Sequence, residues 1–505
     1  MKSLVTTGAL LALLTAGCAD ETASLEVRVL RGGGGDPFAG ATTLRARIVD
    51  PRGNVLAEEQ FAVAEGGSGF SGLVPLVGEA RATIEALDAS EAVVARGSSR
   101  PRALDGTDLV LRVFVGVIDT FFATTDESLA QTTLADAVVG LVATPLDDGM
   151  VLLTGGARLA TDGVIASISN RAYLFDPETG QYEEIQSLRQ ARVGHTATML
   201  RPAGGRRTVV LAGGITVINS QLEASTTLEL YDPDTRAFTL VSTPLPEGRA
   251  FHTATLLVDG AVLYAGGMQP TPVALAGAPQ WDALTAEATP TALLRFVNNP
   301  PRVEELPRRL GVGRWGHGAV RADQSGRVLL VGGRAPNGDA LDSTSVFDPS
   351  DSSLRPGPTL AVPRTGVAAA RLADGIVLVA GGMSDPGNPN TILGSTDLLS
   401  LADNTRSDGP ALAAARAHAS VTVLSDGRVL VAGGLGAGGT ARADAEVLTS
   451  DGSTRITSGS MSRARAFHAA TLLPGGNVLL VGGIAPGLGD VAVHATGEVY
   501  VPLPE

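Results

Sequence analysis

Apolar residues along the chain follow a pattern that predicts β-strands rather than helices. They occur in short runs that alternate with polar positions and are bounded by Gly, Pro, Asn and Asp. Such runs between turn residues are typical of strands. Segment 228–267, "LELYDPDTRAFTLVSTPLPEGRAFHTATLLVDGAVLYAGG", contains four of them, and close copies occur elsewhere. The pattern predicts an all-β chain built from a repeated four-stranded unit.

One strand of each unit ends in a pair of glycines. The first glycines of successive pairs are separated by 58, 53, 66, 49, 52 and 49 residues. A period near fifty residues with four strands is the signature of a β-propeller. No Lys-Ser/Thr follows the pairs, so their repetition indicates turn geometry rather than a phosphate loop. The pairs are Gly155 and Gly156, Gly213 and Gly214, Gly266 and Gly267, Gly332 and Gly333, Gly381 and Gly382, Gly433 and Gly434, and Gly482 and Gly483.

The unit resembles a kelch repeat. The resemblance rests on the glycine pair, the following "YDP" strand with Tyr231, and an aromatic residue seven positions later, Phe238. It covers about residues 118–505. The third and fifth units depart from it, with "RFVNNP" and "LLSLADN" in place of "YDP", and the usual tryptophan of the fourth strand is absent. The resemblance implies a seven-bladed kelch-like propeller over residues 117–505.

The last unit contains only three strands, ending in "GEVYVPLPE". A strand around residues 119–125 precedes the first complete unit. We expect it to pair with the last unit, because this closes the ring and leaves no unpaired sheet edge.

Residues 24–116 form a separate segment with seven short strand patterns. Turn sequences such as "RGGGGDPFAG" and "DPRGN" separate the strands. Seven short strands in fewer than a hundred residues favour an immunoglobulin-like or fibronectin-like β-sandwich, whose topology the pattern leaves open.

The first seventeen residues have the features of an export signal. Lys2 precedes an apolar run that is too short to span a bilayer, and small residues precede Cys18. The ending "LTAGC" resembles a bacterial lipoprotein signal, which implies a lipid on Cys18 and residues 18–23 as a tether. Ala19 after the cysteine implies the outer membrane. An ordinary signal peptide with a chance cysteine is the alternative.

Charge and composition exclude several functions. The formal net charge is −14, which argues against general nucleic-acid binding. Lys2 is the only lysine, so the exported chain lacks a catalytic lysine. Cys18 is the only cysteine, which excludes internal disulfides and the copper-radical cross-link of galactose-oxidase-like propellers.

An arginine precedes the first strand of six units. We expect these arginines near the channel mouth, on the face that carries the variable loops. One interpretation is an anion-binding ring. The other is a set of structural pairs with carboxylates such as Glu229, Glu446 and Glu498, or with turn carbonyls. The arginines are Arg192, Arg249, Arg314, Arg364, Arg416 and Arg465.

Histidines follow four of these arginines at a fixed distance: His195, His252, His317 and His468. One histidine per unit cannot chelate one ion, since adjacent sheets pack about 10 Å apart and ligand bonds are about 2 Å long. We therefore expect neither a metal nor another cofactor.

The third unit has the longest loop, and it contains Trp281. Long loops on a rigid scaffold often carry binding sites. No hydrolase motif is evident. We therefore expect an envelope-anchored, non-enzymatic scaffold that recognises a protein or a glycan on this loop face. A carbohydrate-active enzyme, of epimerase or hydrolase type, is the alternative. A cluster of carboxylates and tyrosines at the channel mouth would favour the enzyme.

Overall fold

The computed structural model is all-β in the residues it describes, apart from short 3-10 turns at Leu275–Gly277, Pro389–Thr391 and Ala437–Gly439. Cys18 and Trp281 lie outside the described residues. In the described ranges, no helix has the length and apolar character needed to cross a membrane. The described residues are 22–32, 36–50, 52–63, 70–75, 78–104, 109–201, 207–277, 284–288, 290–298, 300–372, 375–486 and 490–504.

The N-terminal segment folds as one connected sheet of eight described strands. Their order is β3-β2-β5-β6-β8-β1-β4, with β7 beside β5. Strands β1 and β8 are parallel, and the other neighbours are antiparallel. The strands are β1 (Thr22–Arg31), β2 (Thr43–Val49), β3 (Val55–Ala62), β4 (Phe70–Pro75), β5 (Gly78–Leu87), β6 (Val93–Ser98), β7 (Arg102–Leu104) and β8 (Leu109–Val117).

This sheet curls around a single core. Side chains alternate along β2, so Leu44, Ala46 and Ile48 are buried while Thr43, Arg45 and Arg47 are partly exposed. They pack in one cluster with Val27 of β1 and Val113 of β8. The two-sheet sandwich expected from the sequence remains a prediction, because the described strands are connected through β8 into one path.

Seven four-stranded antiparallel sheets follow in the described part of the chain. In each, the order from the first to the last strand follows the sequence, except that β9 ends the last sheet. Sheets 1 to 3 are β10 (Val142–Pro145), β11 (Val151–Thr154), β14 (Ala172–Asp176), β15 (Gln181–Glu184); β16 (Thr196–Leu200), β17 (Thr208–Ala212), β20 (Leu228–Asp232), β21 (Ala237–Leu240); and β22 (Thr253–Leu256), β23 (Val262–Ala265), β27 (Ala292–Asn298), β28 (Pro301–Arg309). Sheets 4 to 7 are β29 (Gly318–Arg321), β30 (Val328–Val331), β31 (Thr344–Asp348), β32 (Ser353–Pro356); β33 (Ala368–Arg371), β34 (Ile376–Ala380), β35 (Thr396–Ser400), β36 (Thr405–Asp408); β37 (Ser420–Val423), β38 (Val429–Ala432), β39 (Asp444–Leu448), β40 (Arg455–Ser460); and β41 (Ala469–Leu472), β42 (Val478–Val481), β45 (Gly497–Val501), β9 (Thr120–Ala123).

The first strands of the seven sheets contact one another in a closed cycle. Each touches the first strand of the next sheet, and β41 touches β10. Apolar side chains fill the space between neighbouring sheets, as Leu152 and Leu174 of sheet 1 do with Leu211 and Tyr231 of sheet 2. Sheets packed face to face around an axis constitute a β-propeller.

The ring closes between the two ends of the propeller chain. Strand β9 pairs with β45, with Phe122 opposite Val499 and Thr120 opposite Val501. The outer edge of sheet 7 therefore comes from the segment directly after the N-terminal sheet, and sheet 7 has four strands like the other six described sheets.

The N-terminal sheet packs against one face of the propeller, at the point of closure. Arg102 donates to Glu178 of sheet 1 at 2.8 Å, and Arg81 donates to the carbonyl of Pro474 in sheet 7. Phe122 fills the space beside Gly116. The turns on this back face join the first to the second strand and the third to the fourth. The described strands of the N-terminal sheet leave the opposite face, which carries the other connections, uncovered.

Short hairpins rise from the uncovered face over sheets 7, 1, 2 and 3. We call them the apolar wall, because half-buried Leu159, Val164, Ile168, Val273 and Val491 pack on a common cluster there. The hairpins also contact each other: Val491 donates its N–H to the carbonyl of Thr161 at 2.8 Å. The strands are β12 (Ala157–Leu159), β13 (Ile165–Ile168), β18 (Ile215–Ile218), β19 (Gln221–Ala224), β24 (Gln269–Pro270), β25 (Val273–Ala274), β26 (Ala286–Ala288), β43 (Ile484–Pro486) and β44 (Val491–Val493).

Candidate functional site

The six repeat arginines lie inside the propeller, just below its uncovered face. Each is at most 2% exposed. Each donates from Nη1 to the carbonyl of the first glycine of its own sheet's pair. The acceptors are Gly213 (2.6 Å), Gly266 (3.2 Å), Gly332 (3.0 Å), Gly381 (2.9 Å), Gly433 (2.9 Å) and Gly482 (2.9 Å). The guanidinium groups are therefore engaged with the protein itself.

Carboxylates of the third strand neutralise several of these arginines. Buried ion pairs join Arg192 to Glu229 at 2.7 Å and Arg465 to Glu498 at 2.8 Å. Further pairs are Arg416 with Glu446 (2.6 Å) and Arg364 with Asp397 (3.1 Å). These ion pairs are the ones that the structural interpretation of the sequence expects. Binding of an anionic ligand by the arginines stays a prediction.

Arg249 and Arg314 have less charge compensation. Arg249 pairs with Glu247 at 3.3 Å, and Arg314 donates to the carbonyl and the hydroxyl of Ser343. Burial lowers the pKa of both guanidinium groups to about 10. They therefore remain protonated at neutral pH. The carbonyl oxygens that accept their hydrogen bonds stabilise the positive charge.

The glycine pairs connect each sheet to the next. Both glycines of a pair have positive φ, 63° at Gly213 and 97° at Gly214. A Cβ on Gly213 would lie 2.3 Å from the carbonyl oxygen of Arg249 in the next sheet. Gly214 donates its N–H to that same oxygen at 2.9 Å. The repeat therefore needs glycine for both backbone conformation and close approach.

The repeat histidines form hydrogen bonds between neighbouring sheets. Each Nε2 bonds a hydroxyl of the preceding sheet: His195 to Thr154 (2.9 Å), His252 to Thr196 (3.0 Å), His317 to Thr253 (2.9 Å) and His468 to Ser420 (2.8 Å). Burial lowers the pKa of His317 and of His468 to about 3, so both imidazoles are neutral at neutral pH. The described residues contain no group of His, Cys, Asp or Glu arranged to hold a metal ion.

A ring of seven residues surrounds the channel mouth, one between each arginine (or Val138) and the next first strand. All seven have φ between 51° and 65°. Backbone N–H···O bonds join neighbours around the axis: Phe251 to Gly194, Gly316 to Phe251, Gly366 to Gly316, His418 to Gly366, Phe467 to His418, and Gly140 to Phe467. The ring residues are Gly140, Gly194, Phe251, Gly316, Gly366, His418 and Phe467. We call this the mouth ring.

Four mouth-ring positions are glycine, whereas three carry aromatic side chains. Non-glycine residues in the left-handed region cost about 1 to 2 kcal/mol each. Phe251, His418 and Phe467 adopt φ of 51°, 52° and 54°. The other sheets demonstrate that glycine fits this position, so the fold does not require the aromatic rings. Strain of this kind clusters at functional sites, which makes these three residues the candidate site.

The aromatic side chains form two pairs on opposite sides of the mouth. Phe251 and Trp315 have ring centroids 6.1 Å apart, and His418 stacks on Phe467 at 4.2 Å. The Arg334 guanidinium lies 5.3 Å from the Trp315 ring centroid. All five side chains are half-buried. Burial lowers the pKa of His418 to about 4, so the mouth presents it as a neutral ring.

The loops over sheets 4 and 5 border the mouth opposite the apolar wall. They expose the carboxylates of Asp339, Asp342 and Asp385, and we call them the acidic wall. Asp385 lies close enough to Arg334 to raise that residue's pKa, although burial of Arg334 lowers it overall. The two walls thus differ in chemistry across the same opening.

Tyrosines do not contribute to the mouth. All five lie in strands within the sheets or beside them: Tyr173, Tyr182, Tyr231, Tyr264 and Tyr500. Burial raises the pKa of Tyr231 to about 12 and also raises those of the other four. Among the described residues, the cluster of carboxylates and tyrosines that would have favoured an enzyme is not found at the mouth.

Sequence reasoning missed the mouth ring, although a signal was present. The segments "RAFH", at Arg249 and again at Arg465, differ from "RVGH" at Arg192 and "RWGH" at Arg314 in the residue before the histidine. An aromatic residue replaces a repeated glycine there. Trp281, the tryptophan chosen from loop length, lies outside the described residues. Trp315 lies at the mouth beside Phe251.

Comparisons with known proteins add little to this geometry. No protein-family model matches the chain, and no curated protein matches it. Among solved structures, the chain is similar to the one titled "Structure of YjhT", with 16% identity and a TM-score of 0.48, over 64% of this chain and 99% of that chain. The propeller fold is established by the strand pairing of the chain itself.

Proposed function

We propose that this chain is an envelope-anchored, non-enzymatic binding protein whose mouth ring recognises a protein or a glycan. The observation that carries the proposal is the replacement of glycine by strained, half-exposed aromatic residues at Phe251, His418 and Phe467. Aromatic rings at the centre of a rigid face are typical anchors of binding sites. The neutral His418 and the absence of an acid–base cluster among the described mouth residues support binding over catalysis.

The finer description of the fold belongs to the same proposal. The seven sheets are the blades of a kelch-type propeller, with the N-terminal segment as a small sandwich beside the membrane. Residues 1–17 are a lipoprotein signal and Cys18 carries the lipid, in the outer membrane. The N-terminal sheet packs on the back face, so the tether would leave the mouth pointing away from the lipid surface. Intact mass of the membrane-extracted protein tests this part: a diacylglyceryl group on Cys18 is expected.

Site-specific photo-crosslinking in the native envelope tests the binding role. A benzoylphenylalanine at Trp315 is expected to capture a defined adduct, and one at Leu240, which is 57% exposed on an outer strand, is not. Capture must also fall when Phe251 and Phe467 are replaced by glycine. Equal adducts from both positions would contradict a site at the mouth.

A further inference from the structure

We propose that a cleft between the N-terminal sheet and the back face of the propeller binds a small uncharged ligand that combines a ring or short hydrocarbon chain with a hydroxyl or amide group. The cleft has about 510 Å³ of free space, which includes its open side. We call it the seam cleft. Its described wall comes from β6, β8 and β9 and from the back-face turns of sheets 1 and 7. It lies on the face opposite the mouth ring, so the inference goes beyond the proposed function and is independent of it.

Aromatic and aliphatic side chains form a large part of the wall. Phe114 of β8, Phe122 of β9 and Phe175 of β14 line the seam cleft, and each is at most 8% exposed. Leu473 and Val499 of sheet 7 extend this apolar surface. A ring or hydrocarbon chain of a ligand is favoured there, because contact with these side chains removes apolar surface from water.

Two buried polar atoms in the wall have no hydrogen-bond partner among the residues that the structure describes. They are Oγ1 of Thr125 and Oδ1 of Asn477, and these residues are 6% and 7% exposed. Buried polar atoms are normally paired, and an unpaired one destabilises the fold. The other hydroxyls of the wall, on Ser98, Ser99 and Thr124, have partners within the chain. A hydroxyl or amide group of the ligand supplies the hydrogen bonds that Thr125 and Asn477 lack.

Charges at the edge of the seam cleft compensate one another. Arg100 lies 3.5 Å from Asp176 and 3.4 Å from Glu178, and Arg102 lies 2.8 Å from Glu178. Two cations therefore face two carboxylates. The nearby Arg81 guanidinium donates to the carbonyl of Pro474. Burying a further charge without a partner would be costly, which favours an uncharged ligand.

Saturation-transfer NMR titrations on the intact chain test the inference with four matched probes. Benzyl alcohol carries a ring and a hydroxyl, toluene carries the ring alone, and benzoate and benzylamine carry a charge instead. We expect benzyl alcohol to bind more tightly than toluene, and both charged probes to bind about tenfold or more weakly than benzyl alcohol. Tightest binding of a charged probe would overturn the inference. Failure of all four to bind would also overturn it and would assign the two polar atoms to contact with solvent.

The variant Thr125→Val locates the bound probe, because it removes the unpartnered oxygen and keeps the shape of the side chain. We expect it to weaken binding of benzyl alcohol about two- to tenfold, the range of one neutral hydrogen bond, and to leave toluene binding unchanged. Without a probe, the variant should raise the midpoint of thermal unfolding, because a buried unpaired hydroxyl is lost. A lower midpoint would mean that Oγ1 has a structural partner and would overturn the inference.

Thr144→Val is the matched control. Oγ1 of Thr144 is also buried and unpartnered in the described part of the chain, but Thr144 lies in β10 rather than in the wall of the seam cleft. We expect this variant to raise the unfolding midpoint similarly and to leave binding of benzyl alcohol unchanged. Equal loss of binding in the two variants would place the probe elsewhere and overturn the inference. The proposed function would stand in each of these cases, because capture at Trp315 tests it separately.

Discussion

Two layers of residues in the propeller lie two positions apart in sequence, and they differ in burial and in how strictly they repeat. The inter-sheet layer contains the repeat arginines, glycine pairs and histidines, which are buried or nearly so and bonded to neighbouring sheets. The mouth ring lies directly above it and varies between glycine and aromatic residues. Arg249 and Phe251 illustrate the contrast: the first is fully buried, and the second is half-exposed with a strained backbone. Residues that recur from sheet to sheet therefore stabilise the ring. Residues that vary at a repeat position are the ones exposed at the mouth.

The largest expected effect is at a buried arginine. Arg465→Met removes the partner of Glu498 and leaves its carboxylate buried without a cation. We expect the free energy of unfolding to fall by about 3 to 5 kcal/mol, measured by urea denaturation. Arg236→Met, which breaks the exposed pair with Glu183, is the control and should cost about 1 kcal/mol or less. Similar losses in both variants would contradict a structural role for the arginine layer.

A methyl group on a repeat glycine is expected to cost somewhat less. Gly213→Ala places a Cβ 2.3 Å from the Arg249 carbonyl oxygen at a φ of 63°. Backbone strain and overpacking together should lower the free energy of unfolding by about 3 kcal/mol. Gly260 also has positive φ, but a Cβ added there would meet no atom within 4 Å. Gly260→Ala should therefore cost about 1 to 2 kcal/mol in the same denaturation experiment. Equal losses in free energy of unfolding would mean that the positive φ alone, without the close approach to Arg249, explains the need for glycine.

The histidines of the inter-sheet layer predict acid sensitivity. The folded pKa of His317 is about 3, against 6.5 when unfolded, so the unfolded chain binds the extra proton as pH falls. Stability is full above pH 6.5 and falls below it, by about 1.4 kcal/mol per pH unit for this residue. Between pH 6.5 and 4.5, His317→Gln should reduce the total loss by about 2 kcal/mol relative to the unaltered chain. An unchanged pH slope would contradict this assignment.

The smallest expected effect on stability is at the mouth ring. Phe251→Gly relieves about 1 to 2 kcal/mol of backbone strain, which offsets the lost contacts of a half-buried ring. We expect the free energy of unfolding to change by about 1 kcal/mol or less, because four sheets already carry glycine here. Phe238→Ala, at a fully buried ring of sheet 2, should cost about 3 to 5 kcal/mol. A loss of that size at Phe251 would place it in the structural layer.

Much of the fold could be predicted from the sequence because it depends on local and repeated signals. The glycine pairs define the repeat. The alternation of apolar and polar residues in "TLRARIV" predicts a strand, which the structure has as β2 at Thr43–Val49. The three-residue strand β7 (Arg102–Leu104) was missed, since so short a segment is stabilised by its neighbour β5 rather than by its own pattern.

The candidate site could be predicted only in part. The sequence pattern predicts that the arginines lie near the mouth, but it does not determine whether their side chains point to solvent or into the protein. That choice depends on the carbonyls of Gly213 and its equivalents, which come from a different part of each unit. The aromatic pairs were not predicted either, because Phe251 and Trp315 belong to different sheets.

By itself, the sequence determined the all-β class, the repeated four-stranded unit and the residues that recur in it, since these follow from strand periodicity and from the backbone freedom of glycine. The tertiary structure alone decided what the recurring residues do. Closing seven sheets into a ring buries one layer of side chains between neighbours and leaves the next layer facing an opening. Residues two positions apart, such as Arg249 and Phe251, are separated by that closure into support and surface. The sequence distinguishes them only in that the first recurs while the second varies between glycine and aromatic residues.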